Sequence, residues 1–442
     1  MEADHLEKQE NGDQITLEIT PFEQVEDLTS SIRVKLDAIS YPCSIFRVPA
    51  KFLNQHENAY YPKIVSIGPL HHGKIALQHM ETHKWEYLNA LLSRKLNSES
   101  TLNACVKVLK GLEPKIRACY QENVSFQSDE FIRMILLDVC FILELFLRYA
   151  IRGLRRRDDP LFRSPEKFHV LRNDLSLLEN QIPFFVLQRI FNLIPIEREC
   201  DISISELSLR FFKPLISTDV QFLQEKYSFE GSSHLLDLIW KAYLPSFSKV
   251  HIGKENGSGR DLRSASSLQE AGFKVKAVEA ESILDVKFVN GAIIIPSLKI
   301  HNYMDALFRN LIALEHCHSG KMKHITSYVF LMKGLIQSQK DVKLFYQRRI
   351  FISYVGTREE LVDMFKKLCE DIELDKFYYE GMWEQLLEYG RTRWEVWYIK
   401  LKNKYGRNRC KVSRATLGVS LLVVLLIGVL IVVLYFFITH HH

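Results

Sequence analysis

The stretch VSIGPLHHGK, residues 65–74, contains the side chains best suited to chemistry, the adjacent pair His71 and His72. Imidazole groups titrate near neutral pH and are common general bases and metal ligands. Glycine and proline residues bracket the pair, and both residue types are typical of turns. The sequence names no nucleophile or orienting acid beside the pair, and catalysis by a histidine base needs both. The pattern therefore favours a structural turn over a catalytic loop.

A chemical role for this loop is the alternative if distant carboxylates reach it. Glu81 and Glu179 are the conceivable partners, and with the two histidines they would suit a metal-assisted hydrolase. The chain has no G-x-G-x-x-G fingerprint, Walker loop, H-E-x-x-H or G-x-S-x-G motif, and its eight cysteines match no zinc spacing. We therefore predict no cofactor and no metal, and we favour a binding protein over an enzyme.

An amphipathic helix is predicted over residues 75–95, directly after the loop. Glu81 and Lys84 fall on its apolar face, three positions apart. We expect them to pair with each other or with another element, because a half-buried ion is costly unless it is satisfied. His79 and His83 lie on the opposite side of this helix, which favours a solvent-exposed surface over a metal site.

Residues 129–151 are apolar nearly all round, which predicts a central core helix. Within it, Glu144 and Arg148 have the i, i+4 spacing of an ion pair.

Residues 174–191 are also apolar, but the polar run ENQ and then a proline interrupt them. This pattern favours a helix boundary, with Asn180 or Gln181 near the cap and Pro183 in the first turn of a new helix. A polar cluster that lines a pocket is the alternative.

The fold class is predicted to be mainly α, a multi-helix globular domain. Later helices are expected over residues 303–319, 322–338, 340–350, 357–370 and 375–400. The region of about 273–301 breaks this pattern, because Asn290-Gly291 lies between alternating β-branched runs and is a strong hairpin signal. We therefore expect a small antiparallel β-hairpin or sheet inserted in the helical domain.

The net charge is +5 over 442 residues, which is small and confined to short stretches. A nucleic-acid-binding protein would more often spread a basic stripe over its domain, so nucleic acid is not an expected partner. Most of the cysteines lie in apolar helical surroundings, where reduced cysteines behave as small core residues. This usage favours a reducing, cytosolic compartment for the main domain.

The C-terminal residues 415–439 contain no charged side chain. A membrane-spanning helix needs about 20 apolar residues to cross about 30 Å of hydrocarbon, so this segment predicts a single-pass C-terminal transmembrane helix. Seven basic residues precede it: Lys400, Lys402, Lys404, Arg407, Arg409, Lys411 and Arg414. The positive-inside rule then puts the main domain in the cytosol as a tail-anchored protein. The same basic residues would also suit anionic lipids, in addition to the bilayer itself.

Eight motifs follow one another along the chain: CSIFRVP, YYPKIVSIGPLHHGK, METHKWEYL, LLDVCFILELF, LLENQIPFF, SASSLQEAGFKVK, ILDVKFVNGAIIIPSLKI and NLIALEHC. Together they resemble the plant family known as domain of unknown function 247, from about residue 43 to residue 438. The resemblance implies a plant origin, a mostly helical domain and a single-pass membrane anchor. It implies no reaction.

The predicted organisation has four parts: a disordered acidic N-terminus (1–30), a single large α-helical domain (31–399), a basic juxtamembrane segment (400–414) and the transmembrane helix (415–439). The candidate functional or structural residues of the domain are Arg47, His71, His72, Gly73, Glu81, Lys84, Glu179, Asn180 and Gln181. We expect a cytosol-facing protein-interaction or signalling module that binds another protein or a second copy of itself. The metal-assisted hydrolase is the alternative function.

Overall fold

The computed structural model describes residues 43–94, 98–194, 202–216, 231–245, 262–318, 320–352, 356–392, 419 and 421–430. For Asn54 and Gln55 it describes only the backbone. The acidic segment 1–30, predicted to be disordered, and the basic segment 400–414 lie outside the described residues.

Helices form most of the described chain before the sheet. Their bounds are α1 (Ala50–His56), α2 (Gln78–Leu92), α3 (Ser98–Ala118), α4 (Ser128–Ala150), α5 (Pro160–Arg163), α6 (Pro165–Asp174), α7 (Phe184–Leu193), α8 (Ile204–Phe212), α9 (Leu235–Tyr243) and α10 (Ala265–Glu270). The helices predicted over residues 75–95 and 129–151 correspond to α2 and α4.

Helix α4 lies at the centre of this part of the fold. Its residues from Phe131 to Arg148 are buried, with Arg133 as the exception. Helices α2, α3, α7 and α8 pack against it, as expected for a helix that is apolar on every side. The predicted pair on α4 is confirmed, because Arg148 Nε donates to Glu144 Oε1 at 2.7 Å.

The β region is a mixed three-stranded sheet. It contains β1 (Lys274–Val278), β2 (Lys287–Val289) and β3 (Ala292–Pro296) in the order β1-β3-β2. Strands β2 and β3 are antiparallel, and the Asn290-Gly291 turn between them has φ of 49° and 75°, as the predicted hairpin requires. Strand β1, however, pairs parallel with β3. The prediction of an antiparallel sheet is wrong for β1, because the local hairpin signal carries no information about the strand that joins the other side of β3.

The described chain after the sheet returns to helices. They are α11 (Met304–Cys317), α12 (His324–Leu335), α13 (Gln339–Gln347), α14 (Arg358–Lys367) and a helix over residues 380–392. A second pair of short strands, β4 (Leu298–Lys299) and β5 (Phe351–Ile352), is parallel. One hydrophobic cluster contains buried residues from Ile45 to Leu386. The single-domain boundaries of 31–399 stay a prediction, because both ends lie outside the described residues.

The prediction that the fold includes a transmembrane helix over residues 415–439 is wrong. Within the described ranges, no helix is both long enough and apolar enough to cross a membrane. Of the predicted span, the structure describes Val419 and the helical residues 421–430. A helix of that length rises by about 15 Å, against about 30 Å of hydrocarbon. The corrected fold class is a mainly helical protein with a small mixed sheet.

Candidate functional site

The segment just before the histidine pair, residues 63–68, crosses the core without forming a helix or a strand. Its backbone groups must therefore find partners elsewhere. Asp174, the last residue of α6, supplies the first set: its carboxylate accepts hydrogen bonds from the N–H groups of Lys63, Ile64 and Val65 at 2.7–3.1 Å. Burial, only partly offset by these hydrogen bonds, raises the pKa of Asp174 to about 6.

Asn180 holds the same segment from the other side, and Gln181 beside it binds the turn after α6. Asn180 Oδ1 accepts from Ile67 N at 2.7 Å, and its Nδ2 donates to Val65 O at 3.0 Å. Gln181 Nε2 donates to the carbonyl of Leu177 at 2.7 Å. The predicted helix boundary is present, since α7 begins after Pro183, but no side chain caps that end of α7. The two amides instead satisfy buried backbone groups.

Lys84 on α2 is completely buried and makes three hydrogen bonds. Its Nζ donates to Asp138 Oδ1 at 2.6 Å, to Ser66 O at 2.6 Å and to Glu81 Oε1 at 2.7 Å. Asp138 Oδ2 also accepts from Gly68 N at 2.7 Å. The predicted Glu81–Lys84 pair is therefore present, and it also joins α2, the extended segment and α4.

His71 is buried and sits between a lysine and a carboxylate. Lys74 Nζ lies 2.8 Å from His71 Nδ1, and His71 Nε2 lies 3.6 Å from Glu179 Oε2, too far for a hydrogen bond. Burial, together with the positive charges of Lys74 and Arg47, lowers the pKa of His71 to about 3. The imidazole is therefore neutral at pH 7, accepts the lysine hydrogen bond at Nδ1 and carries its proton at Nε2.

Glu179 links this loop to the N-terminal part of the domain. Its Oε2 lies 2.8 Å from Arg47 Nη1, and its Oε1 accepts from Val48 N at 2.8 Å. Arg47 also pairs with Glu122 at 2.8 Å through its second Nη, and these two side chains are 37% and 52% exposed. Arg47, His71, Lys74, Glu122 and Glu179 thus form one half-exposed charged cluster.

The other predicted loop residues do not join that cluster. The His72 ring packs edge-on against Phe126, with ring centroids 5.6 Å apart. Gly73 has a φ of 79°, and a Cβ there would meet nothing within 4 Å, so glycine serves the turn and not a close approach.

The charged cluster can bind and orient, but it does not have the parts that the hydrolase hypothesis needs. Glu81, one of the two proposed carboxylate partners, is bonded to Lys84 and not to the histidines. Glu179 does approach His71, but no group of three side chains suited to holding a metal ion occurs among the described residues. The buried segment 63–68 is held by side chains outside this cluster: Lys84, Asp138, Asp174 and Asn180.

Two carboxylates that hold this segment were missed from the sequence. Asp138 lies within the predicted helix 129–151 and Asp174 starts the apolar run 174–191, but neither was predicted to bind residues 63–68. Asp138 had a visible signal, because a charge inside an almost wholly apolar helix must find a partner. Asp174 had no such signal, because the backbone N–H groups that it binds lie about 110 residues earlier in the chain.

A groove of about 440 Å³ lies beside strand β2, away from this cluster. Residues 284–289 form one wall and the start of the helix over residues 380–392 contributes the other. The side chains that line it include Phe288, Tyr378 and Met382. The seven predicted membrane-proximal basic residues, from Lys400 to Arg414, lie outside the described part of the chain.

Comparisons with known proteins agree with the resemblance in the motifs. The model of the family DUF247, described as plant protein of unknown function, matches residues 45–424. The UPF0481 protein At3g47200 of Arabidopsis thaliana is 30% identical over 380 residues, which cover 80% of this chain and 78% of the relative. The putative UPF0481 protein At3g02645 of the same plant is 23% identical over 86% of this chain and 88% of its own length. No solved structure matches the chain significantly. The chain therefore belongs to the DUF247 family of plant proteins of unknown function.

Proposed function

We propose that this protein is a protein-interaction module, and that it binds an extended segment of a partner protein in the groove beside β2. The observation that carries the proposal is an edge strand next to an apolar groove. Strand β2 lies at the end of the sheet order, so among the described strands it is bonded only to β3. An edge strand of this kind is a template for an added strand.

The register of the hairpin supports an extended ligand. Val289 and Ala292 flank the two-residue turn, which makes them a hydrogen-bonded pair. The next pair, Phe288 and Ile293, is then a non-hydrogen-bonded pair, because the two types alternate in an antiparallel ladder. The backbone N–H and C=O of Phe288 therefore point away from β3, towards the edge that no described strand covers. An extended chain offers a matching donor and acceptor at that spacing.

The surroundings of the edge favour apolar side chains on the partner. Val289 is 46% exposed, and Leu387 and Tyr389 on the neighbouring helix are 49% and 38% exposed. Phe288 and Met382 line the groove itself. Phe288 and Val289 are consecutive, so their side chains point to opposite faces of the sheet. In an added strand, the alternate residues on the Phe288 face would lie over the groove and would therefore be apolar.

Peptide display on the full-length protein, followed by affinity measurements with the selected peptides, tests this proposal. We expect peptides with alternating apolar residues, and we expect Val289→Lys to weaken their binding by about tenfold, or about 1.4 kcal/mol. Val278→Lys is the matched control, since Val278 is 37% exposed on strand β1 at the opposite edge of the sheet.

Amide hydrogen exchange gives a second measurement on the same complex. A bound strand should slow exchange of the Phe288 amide and leave the β1 amides unchanged. Peptides that bind both lysine variants as tightly as the wild type, or that leave the Phe288 amide unprotected, would exclude this groove as the binding site.

A further inference from the structure

A second cavity, of about 200 Å³, opens where the C-terminal end of α4 meets α5 and α6. Its lining residues are Tyr149, Arg155, Leu161, Phe162, Ser164, Pro165, Phe168, His169 and Arg172. The lining therefore includes two arginines and one histidine but no carboxylate. A cavity that is lined by cations and aromatic rings has the composition of an anion site.

Arg172 is the central cation of this cavity. It is only 5% exposed, its Nε donates a hydrogen bond to the Phe211 carbonyl at 2.8 Å, and its side chain also interacts with the Tyr149 hydroxyl. Its guanidinium lies 4.8 Å from the centre of the Phe168 ring and 5.1 Å from that of Tyr149. No described carboxylate pairs with it. Among the described residues, its charge is therefore compensated only by neutral groups, namely a backbone carbonyl, a tyrosine hydroxyl and aromatic rings.

Such a buried cation is unusual, because buried charges are normally paired. Burial lowers the pKa of Arg172, and the groups that act in the opposite direction are the hydroxyls of Tyr149 and Tyr303, not carboxylates. An arginine nevertheless keeps its charge at neutral pH. A negative charge that entered the cavity would therefore meet a guanidinium that has already lost most of its water.

Arg155 adds a second guanidinium at the same cavity. Its Nε and Nη2 donate to the carbonyls of Arg148 and Tyr149 at 2.7 and 2.6 Å, which fixes the side chain at the end of α4. It forms no ion pair with a described residue, and its guanidinium carbon lies 5.0 Å from the centre of the Phe162 ring. His169, exposed at the same cavity, lies on α6 one turn before Arg172.

We propose that this cavity binds a small organic anion, with a carboxylate or phosphate group between Arg155 and Arg172 and an apolar or aromatic body against Tyr149, Phe162 and Phe168. The planar guanidinium groups suit an oxyanion that accepts two hydrogen bonds side by side. The cavity volume limits the ligand to a small molecule, because sites for drug-sized ligands begin at about 300 Å³. This site is independent of the groove beside β2.

Isothermal titration calorimetry on the full-length protein tests the proposal with benzoate and phenyl phosphate as probes. Benzyl alcohol is the neutral comparison, and inorganic phosphate is the anion without an aromatic body. We expect at least one aromatic anion to bind more tightly than both comparisons. Arg155→Gln and Arg172→Lys should each weaken that binding by about tenfold or more, because each removes part of a charge-assisted, bidentate contact.

Arg163→Gln is the matched control, since Arg163 is exposed at the end of α5, between Phe162 and Ser164 of the cavity wall, but does not itself line the cavity. It should leave the affinity unchanged. Because Arg172→Lys alters a buried side chain, Arg155→Gln decides the result if the lysine variant does not fold. The proposal is overturned if neither aromatic anion binds, or if benzyl alcohol or inorganic phosphate binds as tightly as the aromatic anions do. It is also overturned if Arg163→Gln loses as much affinity as the two cavity variants. Selective binding of benzoate or of phenyl phosphate would identify the acid group.

Discussion

The buried Lys84–Asp138 pair provides the sharpest test of how the core is held together. The side chains of Lys84 and Asp138 are 0% and 2% exposed, so neither can regain water if its partner is removed. Burial by itself favours the neutral amine, but the carboxylates of Asp138 and Glu81 outweigh it and raise the pKa of Lys84. The lysine is therefore charged, and Lys84→Met leaves the buried Asp138 carboxylate without a counter-charge.

The size of the effect follows from this burial. Removing one partner of a buried ion pair costs about 3–5 kcal/mol, whereas an exposed pair contributes about 0–1 kcal/mol. Lys110 and Asp129 form such an exposed pair, with side chains that are 55% and 77% exposed. We therefore expect Lys84→Met to lower the free energy of unfolding by about 3–5 kcal/mol, and Lys110→Met to lower it far less.

A double variant separates the charge effect from the loss of packing. In Lys84→Met/Asp138→Asn the buried charge is gone, and the asparagine carbonyl still accepts from Gly68 N. The buried Ser66 carbonyl then loses its lysine donor, at a cost of about 1–3 kcal/mol, whereas Glu81 also loses Lys84 but is 29% exposed and can bind water. We therefore expect the double variant to be about 2 kcal/mol more stable than Lys84→Met.

Urea unfolding followed by circular dichroism measures these differences for the full-length protein. The reasoning is refuted if Lys84→Met destabilises no more than Lys110→Met does. It is also refuted if the double variant is no more stable than the single one, because the penalty would then not come from an uncompensated carboxylate.

Two further predictions concern the histidine loop. A Cβ on Gly68 would lie 2.4 Å from the Gln181 carbonyl oxygen, whereas one on Gly73 meets nothing, and both residues have positive φ. Gly73→Ala should therefore lower the free energy of unfolding by about 1 kcal/mol, and Gly68→Ala should lower it by about 2 kcal/mol more, as measured by thermal or urea unfolding. Equal losses in the two variants would contradict the predicted clash. Because the folded state lowers the pKa of His71 from 6.5 to about 3, the unfolded chain binds the proton first, and stability should fall as the pH drops below 6.5. By about pH 4 this loss of stability reaches about 3 kcal/mol. His71→Gln should therefore reduce the slope of stability against pH below pH 6.5, and a substitution of the exposed His79, His79→Gln, should leave that slope unchanged. If His71→Gln also leaves the slope unchanged, other groups cause the loss of stability.

For the site residues, the sequence predicted contacts between near neighbours in the chain correctly, but it did not predict contacts between distant residues. The spacing of Glu81 and Lys84 on an apolar face indicated an ion pair, and that pair is present. The polar run at residues 179–181 was interpreted as a helix cap, yet Asn180 binds the backbone of residues 65 and 67. A cap is a local device, and a contact across more than 100 residues leaves no trace in a single sequence.

The sequence by itself determined the elements that have their own hydrophobic periodicity or their own turn motif. The apolar residues of α4 indicated a buried helix, and Asn290-Gly291 indicated a hairpin, because both depend on residues a few positions apart. The tertiary structure alone decided the parallel pairing of β1, the four side chains that hold segment 63–68, and the burial of Arg172 in a cavity where no described carboxylate pairs with it. Each of them depends on which distant groups become neighbours when the core excludes water, and burial is what makes a missing partner costly.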